Sequence, residues 1–234
     1  RPGDEVFGET TSGAFAEYVV VRADRLAPKP RNLSFEEAAA TPWAVTPLQA
    51  LRDAGAVKAG HRVLIHGASG GVGSWGVQIA KAFGAQVTAV CSTRNVDRMR
   101  ALGADEVIDY TTTDFVTGGA RFDVMLDAVG NRSLLDCRRV LVPTGTLVST
   151  SGGNSGLRWL RRLAAMILIS SLSTRKLKPF MVALNQKDLL VLQELVEAGK
   201  IQPSIDRRYA LRDTADALRY VGEGHSQGQT VIQV

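Results

Sequence analysis

The run Val63-Leu64-Ile65-His66-Gly67-Ala68-Ser69-Gly70-Gly71-Val72-Gly73 constrains this chain more than any other stretch. Three apolar residues and His66 predict a short buried strand over 63–66, and the glycines over 67–73 predict a tight turn. Val72, Trp75, Gly76, Ile79, Ala80 and Phe83 then follow helical spacing. Gly84 reads as the residue that closes that helix, and 86–91 as the next strand. Glycines in such a turn let backbone approach a diphosphate, and the N–H groups at the helix start offer it a positive dipole end. A lone glycine motif is weak, but strand, turn, helix and following strand in this order point to a dinucleotide site over Gly67, Ser69, Gly70, Gly71, Val72 and Gly73.

The end of the second strand bears on which dinucleotide. An NAD site calls for a carboxylate there, to meet the ribose 2′-OH. This chain has Cys91-Ser92-Thr93-Arg94 and no carboxylate before Asp97. Hydroxyls on Ser92 and Thr93 with the Arg94 guanidinium suit a 2′-phosphate, hence NADP(H). The other reading makes Arg94 a solvated residue at a helix start.

Alternation continues downstream. Residues 95–102 read as helix, 106–109 and 122–127 as strands, 132–141 as helix and 145–149 as strand. Strands with buried character separated by helices predict a doubly wound parallel sheet. Asp127-Ala128-Val129-Gly130 ends a strand on the ligand-facing edge of such a sheet. Val129 and Gly130 either approach the cofactor or make a plain strand-to-helix turn. Residues 5–7 and 15–22 are β-rich around a turn at 10–13. Ser34 and Glu37 have capping-box spacing for a helix from Phe35. The tail reads as an amphipathic helix over 187–199, extended chain over 203–211, a helix over 214–220 and a last strand over 229–234.

Composition narrows the classes. A chain of 234 residues with 45% hydrophobic and 22% charged residues is neither disordered, collagen-like nor a coiled coil. Two cysteines, Cys91 and Cys137, support neither a disulfide framework nor a four-cysteine zinc site. They suggest a reducing compartment, the cytoplasm. The net charge of +5 is concentrated, because residues 137–187 hold nine basic residues and no acidic one. A nucleic-acid surface over the whole protein is therefore not expected. No signal peptide opens the chain, and the apolar run at 163–174 is shorter than the roughly 20 residues a membrane span needs.

Across these motifs the sequence resembles the medium-chain dehydrogenase/reductase superfamily, in its zinc-independent quinone oxidoreductase branch. The matching pieces are Gly3-Asp4-Glu5-Val6-Phe7-Gly8, Gly13-Ala14-Phe15-Ala16-Glu17-Tyr18, the turn at 67–73, Leu102-Gly103-Ala104-Asp105, Val107-Ile108-Asp109-Tyr110, Ile205-Asp206-Arg207-Arg208-Tyr209 and Glu223-Gly224-His225. The resemblance implies a Rossmann-type domain over 31–202. It implies a β-rich, GroES-like substrate domain, of which 1–30 and 203–234 are the parts present. Ser69, Gly71 and Val72 would hold the diphosphate, and Ser92, Arg94 and Tyr110 would surround the adenosine phosphate. Thr46 would lie near the cofactor or else serve in helix packing. Relatives start about a hundred residues earlier by ordinary domain length, so the chain reads as truncated at its N-terminus. It also departs from the family pattern with Pro47 after Val45-Thr46, and with Gln229 where a lysine is usual.

Zinc is not expected. Residues 7–12 leave no space for the cysteine-rich lobe of zinc-dependent relatives, and Trp43 stands where they carry a cysteine ligand. Cys91, Cys137, His61, His66 and His225 are scattered, and His66 reads as a packed strand end. Residues 157–172 form a basic amphipathic helix, with Leu160, Leu163, Ala164, Ile167 and Leu168 on one face and Arg158, Arg161 and Arg162 on another. The apolar face is expected in the core or against a second copy, as a homodimer, with the arginines in water. A membrane surface or protein partner is the other reading.

The resulting expectation is an NADPH-dependent reductase of small molecules of the quinone or enone class. No nucleophile or obligatory general base is visible in the sequence. Two alternatives stand beside it. One is a non-catalytic NADPH-binding interaction protein that uses Trp159 and the basic helix as its contact surface. The other is a zinc-type alcohol dehydrogenase.

Overall fold

The computed structural model describes residues 1–10, 12–150, 156–224 and 226–234, with the side chains of 156–159 set aside. Trp159, Arg158 and His225 therefore lie outside what is described. The chain forms two compact units, one of residues 1–45 with 183–234, the other of residues 46–182.

In the first unit β1 (Val6–Gly8) pairs antiparallel with β2 (Leu26–Pro28). Helix α1 (Phe35–Ala40) opens with the anticipated capping box: Ser34 Oγ accepts from the Glu37 N–H, and the Glu37 carboxylate accepts from the Ser34 N–H. Residues 15–22 are a correction. They form no strand, and Tyr18 and Val20 are 89% and 98% exposed. Their β-type composition is not enough, because a strand needs a ladder partner and none among the described residues supplies one.

The second unit holds the sheet. Helix α2 (Val45–Gln49) leads to β3 (Arg62–His66), α3 (Gly71–Ala82), β4 (Gln86–Cys91), α4 (Val96–Ala101), β5 (Glu106–Asp109), β6 (Phe122–Asp127), α5 (Leu134–Arg139), β7 (Leu141–Ser149), α6 (Gly156–Ser171) and β8 (Lys176–Pro179). All six strands are parallel, in the order β5-β4-β3-β6-β7-β8. This is the Rossmann order, in which the chain starts at the centre, winds to one side, then returns and winds to the other.

Register explains the two covered faces. Leu64, Met125, Leu147 and Leu177 are cross-strand partners in one row. They pack with Leu134 and Cys137 of α5 and Met166 of α6. Each such buried side chain contributes about 1.5–3 kcal/mol. The alternate row, with Ile65 beside Leu126, faces α3. There Gly76 permits contact: a β-carbon on it would stand 3.0 Å from Leu126 Cδ2. Gly84 and Gly103 close α3 and α4 at φ +79° and +99°, where an L side chain is strained.

Two differences from expectation concern α6 and β8. Residues 176–179 pair with β7 as an edge strand, where the sequence reading places no strand after 145–149 in this part of the chain. Helix α6 turns Ala165, Met166 and Ile169 to the sheet. The stripe expected either in the core or against a second copy lies outside this chain's core, with Ile167 and Leu168 about 60% exposed. The helix carries two apolar stripes, and the packing geometry of the sheet selects the narrower one.

The chain then returns to the first unit with α7 (Gln186–Glu197), β9 (Ile205–Ala210), α8 (Thr214–Gly222) and β10 (Gln229–Gln233). Strands β9 and β10 pair in parallel. This unit is stitched across the sequence. The Arg31 N–H donates to Glu197 Oε1, Asn32 Nδ2 donates to the Val196 carbonyl, and Gln186 Nε2 donates to the Leu26 carbonyl.

Candidate dinucleotide site

The strand order reverses between β3 and β6, and ligands of open α/β sheets bind in the crevice outside the strand ends at that point. The glycine turn follows β3 there. Gly67 sits at φ +83°, which favours glycine. The Gly70 N–H donates to the Gly67 carbonyl, closing the turn, and the Ala68 N–H donates to the Val90 carbonyl, tying it to β4. A β-carbon on Gly73 would stand 2.1 Å from the Gly67 oxygen and 2.6 Å from Ala68 Cα, so only glycine lets α3 start this close to the strand.

Gly70 caps α3 with no side-chain hydrogen bond, and a β-carbon there would meet nothing nearer than 3.6 Å. The first-turn N–H groups of α3 thus face a cradle that backbone and open space define together. That geometry fits a diphosphate. Ser69, Gly71 and Val72 all lie in it, and Arg98 Nη1 steadies it from α4 by donating to the Ser69 carbonyl, 3.2 Å away.

The residues expected around the adenosine phosphate gather at the ends of β4 and β5. Arg94 and Tyr110 are exposed and Ser92 is half-buried. Ser92 Oγ accepts from Asn95 Nδ2 at 3.1 Å, which leaves its own proton to donate. Thr93 is placed differently from Ser92, because its hydroxyl donates to Asp109 Oδ2 at 2.5 Å. Asp109 is the carboxylate that sequence reasoning missed. It lies 18 positions past Cys91, but parallel pairing of β4 with β5 makes the two residues partners. The hydrogen bond from Thr93, with two more from Thr111, holds the Asp109 carboxyl below its ordinary range.

Val129 is exposed and Gly130 half-buried, beyond the end of β6. A β-carbon on Gly67 would stand 2.5 Å from Val129 Cγ2, so Val129 lies directly against the glycine turn. Thr46 lies half-buried on α2, an element apart from these strand ends.

The largest departure from the sequence reading is at the strand ends themselves. His66, expected only to pack, is the register partner of Asp127. Its Nδ1 lies 3.0 Å from Asp127 Oδ1. Arg162, expected in water, donates from Nη2 to Asp127 Oδ2 at 3.0 Å. Burial pushes the fully buried Asp127 carboxyl up, but hydrogen bonds from His66 and the Gly130 N–H outweigh it and hold the group below its ordinary value. Other members of the basic segment are also engaged within the fold. Arg139 pairs with Asp136, Arg175 donates to the Leu141 carbonyl, and Lys178 donates to the Ala54 carbonyl.

Among the described residues no group of three or more His, Cys, Asp or Glu side chains is arranged to hold a metal. Cys91 and Cys137 are buried, free and far from thiolate character. Desolvation raises their thiols to about 11 and about 12, with Asp109 adding to the first and Asp127 to the second. Neither cysteine, so raised, is poised as a thiolate ligand.

A family model described as zinc-binding dehydrogenase matches residues 102–232. The chain is 33% identical to the mitochondrial NAD(P)H oxidoreductase RTN4IP1 of Mus musculus, over 100% of this chain and 65% of that protein. It is 32% identical to the 2-methylene-furan-3-one reductase of Solanum lycopersicum, over 99% of this chain and 58% of that protein. Among solved structures, the quinone oxidoreductase from Coxiella burnetii superposes with a TM-score of 0.86 at 32% identity, over 99% of this chain and 72% of that one. The chain thus spans about two-thirds or less of the length of these two curated relatives.

Proposed function

The chain belongs to the medium-chain dehydrogenase/reductase family, in its quinone oxidoreductase-like branch, and from that membership we propose an NADPH-dependent, zinc-independent reductase of quinones or of activated carbonyl and alkene compounds. The observation that carries the reading is the glycine cradle at the switch point. A β-carbon on Gly73 would collide with the Gly67 carbonyl, Gly67 sits at φ +83°, and α3 begins at this turn with its N-terminal, positive dipole end toward a diphosphate.

The chain's own residues divide the work. The first turn of α3, from Gly71 to Gly73, with Ser69 beside it, holds the diphosphate. Ser92 and Arg94 meet the 2′-phosphate, with Tyr110 beside them, and Thr93 orders that rim through Asp109. Val129 and Gly130 bound the side of the crevice over β6. Thr46 is assigned to the cofactor by family resemblance alone. When bound, the nicotinamide supplies the hydride, and the protein's part is to bind, orient and keep water away. The similarity to an NAD(P)H oxidoreductase supports the cofactor, and the similarity to a 2-methylene-furan-3-one reductase and a quinone oxidoreductase supports the substrate class. Two free buried cysteines support a reducing compartment, the cytoplasm.

The test is NADPH oxidation by the purified chain with a para-quinone and, separately, an α,β-unsaturated ketone, alongside elemental analysis for zinc. Turnover without stoichiometric zinc supports the reading. NADPH binding with no turnover on either substrate class would favour a non-catalytic NADPH-binding protein. Turnover that needs one zinc per chain would restore an alcohol-dehydrogenase chemistry.

A further inference from the structure

Asp127 is fully buried, is charge-matched and belongs to none of the phosphate contacts above. Its Oδ1 accepts three hydrogen bonds, from His66 Nδ1 at 3.0 Å, the Val129 N–H at 3.2 Å and the Gly130 N–H at 2.9 Å. Its Oδ2 accepts from Arg162 Nη2, and Arg162 Nη1 donates to the Arg132 carbonyl at 3.1 Å. Phe115 lies against His66 at 5.1 Å between ring centroids, and the Arg132 guanidinium lies over the Phe115 ring at 5.4 Å. An ionised carboxylate only accepts, so the His66 proton is on Nδ1.

Resting on the dinucleotide reading, we propose that Asp127, with His66 and Arg162, is a positioning residue for the nicotinamide half of the cofactor. The diphosphate cradle is at α3, and the adenosine rim is on the β4–β5 side. A dinucleotide crossing the switch point must place its other half over β6. Val129 and Gly130 are the backbone there, and Asp127 fixes both of their N–H groups. The same anchor holds Val129 beside Gly67, on which a β-carbon would stand 2.5 Å from Val129 Cγ2. A buried ion pair adds little net stability over apolar packing, since desolvation offsets the attraction. Its distinctive contribution here is one fixed loop geometry, carried from α6 and β3 to the crevice.

The experiment compares two ligands by titration calorimetry: NADPH, and adenosine 2′,5′-bisphosphate, which keeps the adenosine half and lacks nicotinamide. Asp127→Asn, confirmed folded by circular dichroism, should bind NADPH about ten- to hundredfold more weakly, the range expected for lost charge-assisted hydrogen bonds, and the bisphosphate as wild type does. His66→Leu should do the same. His66→Asn, whose amide restores a donor at the Nδ1 position, should recover NADPH binding. If the aspartate variant does not fold, the His66→Leu and His66→Asn pair reads the same anchor with the carboxylate in place: the first should weaken NADPH alone and the second should restore it. Equal weakening of both ligands, or unchanged NADPH binding in the folded variants, overturns the proposal. A wild-type chain that binds neither ligand overturns the dinucleotide reading itself, and this inference with it.

Discussion

A β-carbon on Gly73 would stand 2.1 Å from the carbonyl oxygen of Gly67. The contact joins the first turn of α3 to the residue that follows β3, and the atoms struck, this oxygen and Ala68 Cα, are backbone, so no rotamer change relieves it. Gly73→Ala should destabilise the second unit by about 1–3 kcal/mol and abolish cofactor binding, read by thermal denaturation and titration. Gly70→Ala is the control in the same turn. Its new methyl has room, so stability should fall by less than about 1 kcal/mol, the usual scale for a cap residue. Cofactor affinity should still fall, because that room is where a diphosphate approaches the backbone.

Arg94 is exposed and Thr93 is held by Asp109, so the preference for a 2′-phosphate rests mainly on Arg94 with Ser92. Arg94→Ala should lower NADPH affinity about ten- to hundredfold and leave NADH affinity unchanged. An equal loss for both cofactors would show that the guanidinium does not read the 2′-position.

Asp127 also links stability to acid. His66 faces it from β3, Arg162 from α6 and Cys137 from α5. Its folded-state carboxyl is held below its ordinary value, so the stability that it contributes is present above about pH 4 and is lost as pH falls through the folded value. Asp127→Asn should cost about 3 kcal/mol near neutral pH, since it leaves Arg162 without its anion. The gap to wild type should narrow in urea melts as pH falls below about 4, the ordinary carboxylate value. A gap that stays constant across that range would mean that Asp127 does not carry the charge assigned to it.

Cys91 and Cys137 are free and buried, with thiols raised to about 11 and about 12. Neither should react with a maleimide in the native chain at neutral pH, and both should label once it is unfolded. Rapid native labelling of either would contradict the packing described around β4 and α5.

Most of the second unit was legible because its signals are local. The glycines at 67, 73, 84 and 103 mark places where backbone conformation or clearance leaves little choice, and the strands between them are buried runs. What escaped was non-local. Residues 15–22 have strand composition, but pairing is decided by a partner and not by composition. Residues 176–179 carry no strand reading until β7 supplies a ladder beside them. The stripe that α6 buries depends on the sheet beneath. His66 and Asp127 are 61 residues apart, and only the strand order makes them neighbours. That order was itself readable, since the first and fourth strands of a Rossmann sheet lie side by side, and residues ending both could have been paired on that ground.

The central claim is that the crevice between β3 and β6 takes a nicotinamide dinucleotide and prefers the 2′-phosphorylated form. Titration calorimetry of the purified chain with NADPH and with NADH tests it most directly. Saturable binding of NADPH, about tenfold or more tighter than NADH, is the predicted result. Equal affinities would contradict the assignment of Ser92 and Arg94, and binding of neither cofactor by the folded chain would contradict the site.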